Sequence, residues 1–189
     1  MKRRFRDGTL AAALLAAAIA GVSGTHASAQ TKPSVLLITL DTTRADKLGC
    51  YGGKTQGLTP ALDRWASQSV LFKHCETAVP ETVPSHVTIL SGWYPSRHGV
   101  RQNMEVRVPA QVPLLAQAYE KAGYATGAFV SAFVLSSSYG LGRGFSRYDD
   151  YFYNAARPTV VERSADATLA AARKWLAGRA DPWFCWIHL

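Results

Sequence analysis

The sequence predicts an α/β fold, namely an α/β/α sandwich with a mostly parallel central sheet. Strand-like apolar runs alternate with amphipathic helical stretches, and this alternation is typical of helices packed on both faces of a parallel sheet. The run SVLLITLD, Ser34 to Asp41, is continuously apolar and ends in an acid. Such a run predicts a strand buried on both faces. We therefore expect the ligand site beyond the carboxyl ends of the strands.

A first helix and a second strand are predicted between residues 59 and 78. In TPALDRWASQ, Thr59 is a typical N-cap and Pro60 a typical first helical residue. The apolar side of this helix is predicted to comprise Leu62, Trp65 and Ala66. The run VLFKHCETA, Val70 to Ala78, has the composition of a strand.

Two helices and another strand are predicted next. One helix opens at Pro84, with Val87 and Leu90 facing inward. A second helix is predicted in VPLLAQAYEKAG and ends at Gly123. Its predicted apolar stripe is Val112, Leu115, Ala118 and Ala122. The segment YATGAFV then predicts a strand.

A loop, a helix and a strand complete the predicted order. Residues 136–145 have the composition of a loop, and the last helix is predicted from about Thr159 to Ala177, with Gly178 after it. Its apolar residues are Val161, Ala165, Leu169, Ala172 and Leu176. The final run WFCWIHL predicts a strand without a polar tail, so we expect a chain that is truncated within a domain.

Residues 1–29 are predicted to be a cleaved signal peptide. Basic residues at positions 2, 3, 4 and 6 precede the apolar run LAAALLAAAIAGV, and Ala27-Ser28-Ala29 is a small-residue cleavage site. The apolar run is shorter than the ~20 residues that a stable membrane span needs. We therefore expect an exported protein, periplasmic or secreted, with no stable membrane span after cleavage.

Charge and cysteine content limit the partners. The formal charge is +8, and it becomes +5 without residues 1–29, which carry four basic residues and one acidic residue. This balance suits an anionic substrate, whereas no basic–aromatic patch predicts nucleic-acid binding. Cys50, Cys75 and Cys185 leave at least one thiol unpaired. A Cys50–Cys75 bridge and small buried thiols both remain open.

Polar residues follow the predicted strands. Asp41 ends the first strand and either ligates a metal or caps a turn. Thr82 stands before a helix and is either reactive or an N-cap. Two histidines and three arginines are either surface residues or contacts for an anion. These five are His86, His98, Arg44, Arg97 and Arg101.

Two longer motifs add to this pattern. The segments LLITLDTTRADKLGCYG and TVPSHVTILSGWYPSRHGV resemble the N-terminal half of the sulfatase family, within the alkaline-phosphatase-like superfamily. QVPLLAQAYEKAGYATGAFV resembles the helix–strand segment that follows the nucleophile in this family. The resemblance extends from about Lys32 to Leu189, so residues 30–189 are interpreted as the N-terminal part of a catalytic domain, incomplete at its C-terminus.

The resemblance implies a divalent metal site (Ca²⁺, Mg²⁺, Mn²⁺ or Zn²⁺). Its ligands in this chain would be Asp41, Thr82 and Thr42, with Thr82 as nucleophile and His86 as a second catalytic residue. Arg44, Arg97 and His98 would contact substrate. The N–H groups at the start of the Pro84 helix would face the anionic oxygens. The remaining ligands, an Asp followed by His or Asn, belong to a later strand outside this chain.

The departures from the family pattern change the expected chemistry. Ordinary sulfatases have Cys or Ser, converted to formylglycine, in place of Thr82, and Arg in place of His86. Thr42 replaces a second acid, and the Gly-Lys motif has no counterpart in GYATGAFVSAF. We therefore expect an unmodified Thr82 and no formylglycine. A phosphoester of threonine is resolved by attack at phosphorus, whereas a threonine sulfate lacks the exit that a formylglycine hydrate provides.

Three functions follow from these observations. The first is hydrolysis of sulfate or phosphate esters of a small molecule, glycan or lipid. The second is phosphoryl-group transfer of the phosphoglycerol or phosphoethanolamine type, because threonine resembles the nucleophile of those relatives. The third is a non-catalytic module that holds an anionic glycan or lipid headgroup at the same helix terminus.

Overall fold

The computed structural model describes residues 32–53, 57–152 and 162–189. Within these ranges the strands form one parallel sheet in the order β1-β4-β2-β3, which confirms the predicted parallel sheet. The strands are β1 (Val35–Thr39), β2 (Ala125–Phe129), β3 (Arg147–Asp149) and β4 (Trp183–His188). The predicted signal peptide and residues 159–161 of the last predicted helix lie outside the described residues.

The helices pack on both faces of this sheet. They are α1 (Pro60–Ala66), α2 (Thr82–Ser91), α3 (Pro95–His98), α4 (Leu115–Lys121) and α5 (Ala165–Leu176). Short 3-10 turns occupy Ala45–Lys47, Gly49–Tyr51, Phe133–Leu135 and Ser137–Tyr139. No helix in the described ranges is long and apolar enough to cross a membrane.

Strand β4 shows how the two layers are formed. Phe184 and Trp186 are fully buried in the core that contains α2 and α4, whereas Cys185 and Ile187 are buried against α5. Successive side chains of a strand point to opposite faces, so one apolar run fills both cores. The α/β/α sandwich is therefore confirmed, with β4 inside the sheet between β1 and β2.

Strand β1 differs from the prediction that it is buried on both faces. Leu36 and Ile38 are 46% and 41% exposed, respectively, while Val35 and Leu37 pack against the core below α2. Helix α5 packs on β2 and β4, and β1 lies at the end of the strand order in the described sheet. The prediction was wrong because an apolar run does not say how many neighbours its strand has.

The predicted strand at residues 70–78 is absent from the described structure. Val70 and Phe72 are 82% and 70% exposed, and the segment forms no strand pairing within the described ranges. A strand requires a neighbouring backbone, which composition does not supply. The structure instead contains β3, which the sequence did not predict, after the predicted loop at 136–145.

Two predicted helix faces were also wrong. Trp65 of α1 is 65% exposed rather than on a buried side. Helix α4 begins only at Leu115, so Leu115, Ala118 and Ala122 are exposed. Its inward residues are Ala116, which is buried, and Tyr119, whose ring stacks on that of Phe184 with centroids 4.4 Å apart.

The apolar faces of α2 and α5 agree better with the prediction. Val87 and Leu90 of α2 are buried as expected, although the helix begins at Thr82 rather than at Pro84. In α5, Ala172 is buried and packs with the partly buried Leu169 and Leu176, while Ala165 is exposed.

The three cysteines are free thiols. Cys50 and Cys75 are not bridged, and burial raises the pKa of Cys185 to about 12.

Candidate active site

The candidate site lies where the parallel strands end, as expected for an open α/β sheet. The backbone N–H of Asp41, after β1, donates to the carbonyl of Leu189, after β4, at 2.9 Å. Leu189 in turn donates to Thr39 at 3.0 Å. This pairing continues the β1–β4 ladder and places Asp41 beside the end of β4.

Asp41 and Thr82 meet at this edge of the sheet. Thr82 Oγ1 donates a hydrogen bond to Asp41 Oδ2 at 3.0 Å. The N-cap of α2 is Glu81, and Thr82 is the first helical residue, so the interpretation of Thr82 as an N-cap was wrong. Its hydroxyl instead points toward the carboxylate at the end of β1.

Thr42 holds the other oxygen of the same carboxylate. Its N–H donates to Asp41 Oδ1 at 2.8 Å, and its φ is 52°. Positive φ is unusual for a β-branched residue and costs conformational energy. The contact of Thr42 with Asp41 is therefore made by its backbone, and its side chain lines the surrounding pockets.

His188 reaches Asp41 from the end of β4. Its Nε2 lies 3.3 Å from Asp41 Oδ2. Its Nδ1 lies 3.1 Å from Ser131 Oγ, which donates to the backbone carbonyl of His188 at 2.9 Å. His188 is only 2% exposed, and two segments that are distant from it in the chain, those of Asp41 and Ser131, contact this residue.

His86 lies one helical turn after Thr82. Its Nδ1 lies 2.7 Å from the carbonyl oxygen of Thr82, so Nδ1 carries the proton and donates. Its Nε2 is buried and has no hydrogen-bond partner in the described residues. The ring packs edge-on against His188, with centroids 5.0 Å apart.

Most backbone N–H groups at the start of α2 donate hydrogen bonds to acceptors within the protein. Val83 donates to Asn103 Oδ1 at 2.8 Å, and the N–H of Asn103 donates to Glu81 Oε2 at 2.7 Å. Pro84 has no N–H, and Ser85 donates to the carbonyl of Glu81 at 3.1 Å. The N–H groups at the start of the Pro84 helix were expected to face an anion, and this expectation was wrong for Ser85, which donates within the helix.

Two open pockets meet at Asp41, Thr42 and Thr82. One, of about 470 Å³, is also lined by Ser85 and His86. The other, of about 440 Å³, is lined on its far side by Asn103, Ser131, Glu162, Arg163 and His188. A substrate in either pocket would therefore touch the Asp41–Thr82 pair.

The carboxylate of Asp41 is held in its ionised form. Burial raises its pKa, but the hydrogen bond from Thr82, the contact with His188 Nε2 and the nearby imidazoles outweigh that effect, so the pKa lies below its usual value. Burial lowers the pKa of both His86 and His188, which favours neutral rings. An ionised Asp41 beside a neutral hydroxyl and neutral imidazoles attracts a cation.

The residues predicted to contact substrate are not among the described residues that line either of these two pockets. His98 is 1% exposed; its Nε2 lies 3.1 Å from Thr88 Oγ1 and its Nδ1 accepts from Val100 N–H, so this histidine is a packing residue. Arg44 pairs with Asp46 at 2.8 Å, and Arg97 stacks on Trp93 at 3.9 Å.

Three residues of the site were missed from the sequence. His188 and Ser131 each follow or end a parallel strand, so the rule that located Asp41 would have found them once β4 and β2 were known to flank each other. Asn103 lies in a loop, and no sequence signal connected it with α2. Residues 101 and 103 are close in sequence, yet only Asn103 reaches the pocket.

The donor atoms suit a small divalent cation. Asp41 Oδ2 and Thr82 Oγ1 are 3.0 Å apart, which is about the spacing of adjacent ligands around Mg²⁺ at 2.1 Å. Carboxylate and hydroxyl oxygens are ligands of such ions. The described residues contain no group of three His, Cys, Asp or Glu side chains placed to hold a metal.

Comparison with known proteins gives one family. The family model Sulfatase matches residues 33–189. A Delta 4,5-hexuronate-2-O-sulfatase from Bacteroides thetaiotaomicron is 35% identical over 105 residues, which are 53% of this chain and 22% of the relative. The chain therefore spans about a fifth of the length of that relative.

Solved structures of related fold cover most of this chain. A phosphonate monoester hydrolase from Agrobacterium radiobacter superimposes with a TM-score of 0.66 at 20% identity, covering 84% of this chain and 40% of the hydrolase. The C-terminal periplasmic domain of EcEptC from Escherichia coli, in complex with Zn, gives a TM-score of 0.63 at 18% identity and covers 84% and 43%. At these identities the likeness establishes the fold.

Proposed function

The chain belongs to the sulfatase family, and from this membership we propose that the complete protein is a metal-dependent hydrolase of phosphate or sulfate esters. Thr82 is its nucleophile and Asp41 a metal ligand. The proposal includes export from the cytoplasm, for which the signal-like residues 1–29 are the support.

One observation carries the proposal: the 3.0 Å contact between Thr82 Oγ1 and Asp41 Oδ2. A helix cap or a turn would explain each residue separately. Neither explains why a hydroxyl at the start of α2 lies against a carboxylate at the end of β1, between two open pockets. A nucleophile beside a metal ligand does explain it.

Asp41 orients the hydroxyl rather than removing its proton. A carboxylate whose pKa is lowered is a weak base, so it is poorly matched to a threonine hydroxyl. A divalent ion held by Asp41 and Thr82 would supply the missing effect, because it would lower the pKa of the hydroxyl and neutralise charge on the ester. Thr42 N–H and His188 keep the carboxylate in place.

The proposed reaction has two displacement steps. Thr82 Oγ attacks phosphorus, the bond from phosphorus to the alcohol or phenol oxygen breaks, and the leaving group takes up a proton. Water then attacks phosphorus, the Oγ–P bond breaks, and inorganic phosphate leaves while the hydroxyl is regenerated. Atoms and charge balance without a redox partner, and no modified residue is needed.

The same nucleophile favours phosphate over sulfate. The second step above releases the enzyme by attack at phosphorus. A sulfate ester of Thr82 would need attack of water at sulfur, because threonine lacks the geminal hydroxyl with which a formylglycine hydrate expels sulfate. Phosphoester hydrolysis is thus the preferred reaction, and sulfate-ester hydrolysis is the second candidate, supported by family membership.

The test is turnover by the complete protein. Aryl phosphate, aryl phosphonate and aryl sulfate esters are offered with Mn²⁺, Mg²⁺, Ca²⁺ or Zn²⁺, and phenol release is measured. We expect metal-dependent turnover that is fastest with the phosphorus esters. If the aryl sulfate were turned over faster, the protein would be assigned as a sulfatase rather than a phosphatase. Transfer of phosphate to an added alcohol in preference to water would indicate a transferase.

A protein that binds anions without turnover would contradict the proposal. If a folded protein turned over none of the three esters with any of the four ions, the third function, a non-catalytic module that binds anions, would be favoured instead.

A further inference from the structure

We propose that Nε2 of His188 is a ligand of the same metal ion as Asp41 and Thr82, and that the site is therefore selective for a Zn²⁺-like ion over Ca²⁺. This inference rests on the proposed metal site, but not on the identity of the ester. His188 is not among the residues that the sequence resemblance implied.

The first argument is the position of the imidazole proton. Ser131 Oγ donates its hydrogen to the carbonyl of His188 at 2.9 Å. The same oxygen lies 3.1 Å from His188 Nδ1. A serine hydroxyl has one hydrogen and two lone pairs, so with that hydrogen on the carbonyl it accepts from Nδ1–H. The neutral ring then has its lone pair on Nε2.

The second argument is what that lone pair faces. Nε2 lies 3.3 Å from Asp41 Oδ2, and both atoms are then acceptors. Two acceptors at this separation repel each other unless a cation or a proton lies between them. The ring cannot turn away easily, because His188 is 2% exposed and packs against His86 and Trp186.

The third argument is the spacing of the donor atoms. Ligands of a tetrahedral ion at about 2.0 Å are about 3.3 Å apart, as found between His188 Nε2 and Asp41 Oδ2. Thr82 Oγ1 is 3.0 Å from the same carboxylate oxygen. Asp41 Oδ2 therefore lies at ligand spacing from each of the other two donor atoms.

The donor types determine the class of ion. Imidazole nitrogen suits Zn²⁺ and other transition ions, whereas Ca²⁺ is bound by oxygen ligands alone. Ser131 would be the outer partner that accepts the second ring N–H of a ligating histidine, an arrangement typical of zinc sites. The alternative is a histidine that carries its proton on Nε2 and only orients Asp41 by a hydrogen bond.

Metal titrations separate these alternatives. The complete protein is stripped of metal and titrated with Zn²⁺ and with Ca²⁺ against a chromophoric chelator. We expect His188→Gln to weaken Zn²⁺ binding by more than about tenfold and Ser131→Ala by about tenfold, with Ca²⁺ binding changed less than twofold. The matched control is His98→Gln, which removes another buried histidine and should leave both affinities unchanged.

Equal losses for Zn²⁺ and Ca²⁺ in His188→Gln, or none for either, would overturn the proposal. If that variant does not fold, as judged by circular dichroism, the unmodified protein is crystallised with Zn²⁺ and anomalous scattering is recorded at the zinc edge. We expect the ion within about 2.1 Å of Nε2. An ion beyond 3 Å, with Nε2 bonded to Asp41, would make His188 a positioning residue only.

These measurements do not depend on turnover. A protein that holds zinc through His188 but hydrolyses no ester retains this inference and loses the proposed function. A protein that hydrolyses esters with a metal ion that His188 does not bind retains the proposed function and loses this inference.

Discussion

Thr82 Oγ1 donates to Asp41 Oδ2 across 3.0 Å, although 41 residues separate them in the chain. The contact exists because the start of α2 lies against the carboxyl end of β1. It places a hydroxyl next to a carboxylate, and both residues line the two open pockets.

The first prediction concerns Thr82 as nucleophile. Thr82→Ala should lower kcat of the complete protein by about 10³-fold or more, because the covalent step is removed, while Thr82→Ser should retain measurable turnover. The assay is phenol release from aryl phosphate under saturating metal. The matched control is Thr88→Ala, on the same helix but hydrogen-bonded to Pro84 and His98. Full activity in Thr82→Ala would remove this residue from the mechanism.

The second prediction is that Thr82 is not oxidised. Conversion of Ser or Cys to formylglycine yields an aldehyde, whereas the methyl group on Cβ of threonine would leave a ketone, which hydrates far less. Mass spectrometry of the proteolytic peptide that contains Thr82 should give the mass calculated from the sequence. A mass lower by two hydrogens at that residue would contradict the prediction.

The third prediction concerns Asn103, which accepts from Val83 N–H and lines a pocket beside Thr82. Asn103→Ala should cost about 1 kcal/mol of stability, because the N–H at the start of α2 loses its acceptor. Asn103→Asp keeps an acceptor and should keep the stability, but its negative charge repels an anionic substrate. For Asn103→Asp, KM should therefore rise. An unchanged KM would show that the substrate does not approach Asn103.

The fourth prediction is a pH-dependent contribution of Asp149 to stability. Asp149 is nearly buried and pairs with Arg147 at 2.7 Å and with Arg163. Burial raises its pKa, but the two arginines outweigh this, so the folded pKa lies below the usual value. The stabilisation is therefore present above the unfolded pKa of about 3.9 and is lost as pH falls through the folded pKa.

Urea unfolding measures this contribution. At pH 7, Asp149→Asn should lower the free energy of unfolding by about 3 kcal/mol, since it leaves arginine charge unpaired. The difference from the unmodified protein should shrink below pH 4. The control is Asp46→Asn, which breaks the exposed pair with Arg44 and should have no measurable effect. A difference that stays constant with pH would contradict the assignment.

The fifth prediction concerns Gly127 in β2. A Cβ atom there would lie 2.9 Å from the ring of Trp175 in α5, so Gly127→Ala should destabilise the protein by about 1–3 kcal/mol through overpacking. Thermal unfolding measures the loss. Adding Trp175→Phe, with a smaller ring, should restore part of it. If Gly127→Ala were as stable as the original protein, α5 would be able to shift away from the added methyl group without loss of stability.

Local sequence signals accounted for a good part of the fold. The strand SVLLITLD, the helix after Thr82 and the strand YATGAFV were all found where apolar period and turn residues placed them. The errors at Trp65 and Leu115 have a common cause. A helical stripe depends on where the helix starts and on which neighbour it meets, and an extended run such as Val70–Ala78 becomes a strand only beside another strand.

Of the candidate site, Asp41 and Thr82 were identified from the sequence and lie together in the structure. Arg44, Arg97 and His98, which were predicted to contact substrate, each have a local partner in the structure. The type of a residue indicates which groups its side chain is able to bind. It does not indicate which neighbouring residues the side chain contacts in the folded protein.

The sequence by itself determined the alternation of strands and helices, the family and two residues of the candidate site, because these depend on short-range patterns and motifs. Only the tertiary structure decided that β4 lies beside β1, and thereby that His188 and Ser131 join Asp41. Strand order arises from long-range packing of side chains distant in the chain. No local pattern encodes it, and the composition of the site follows from it.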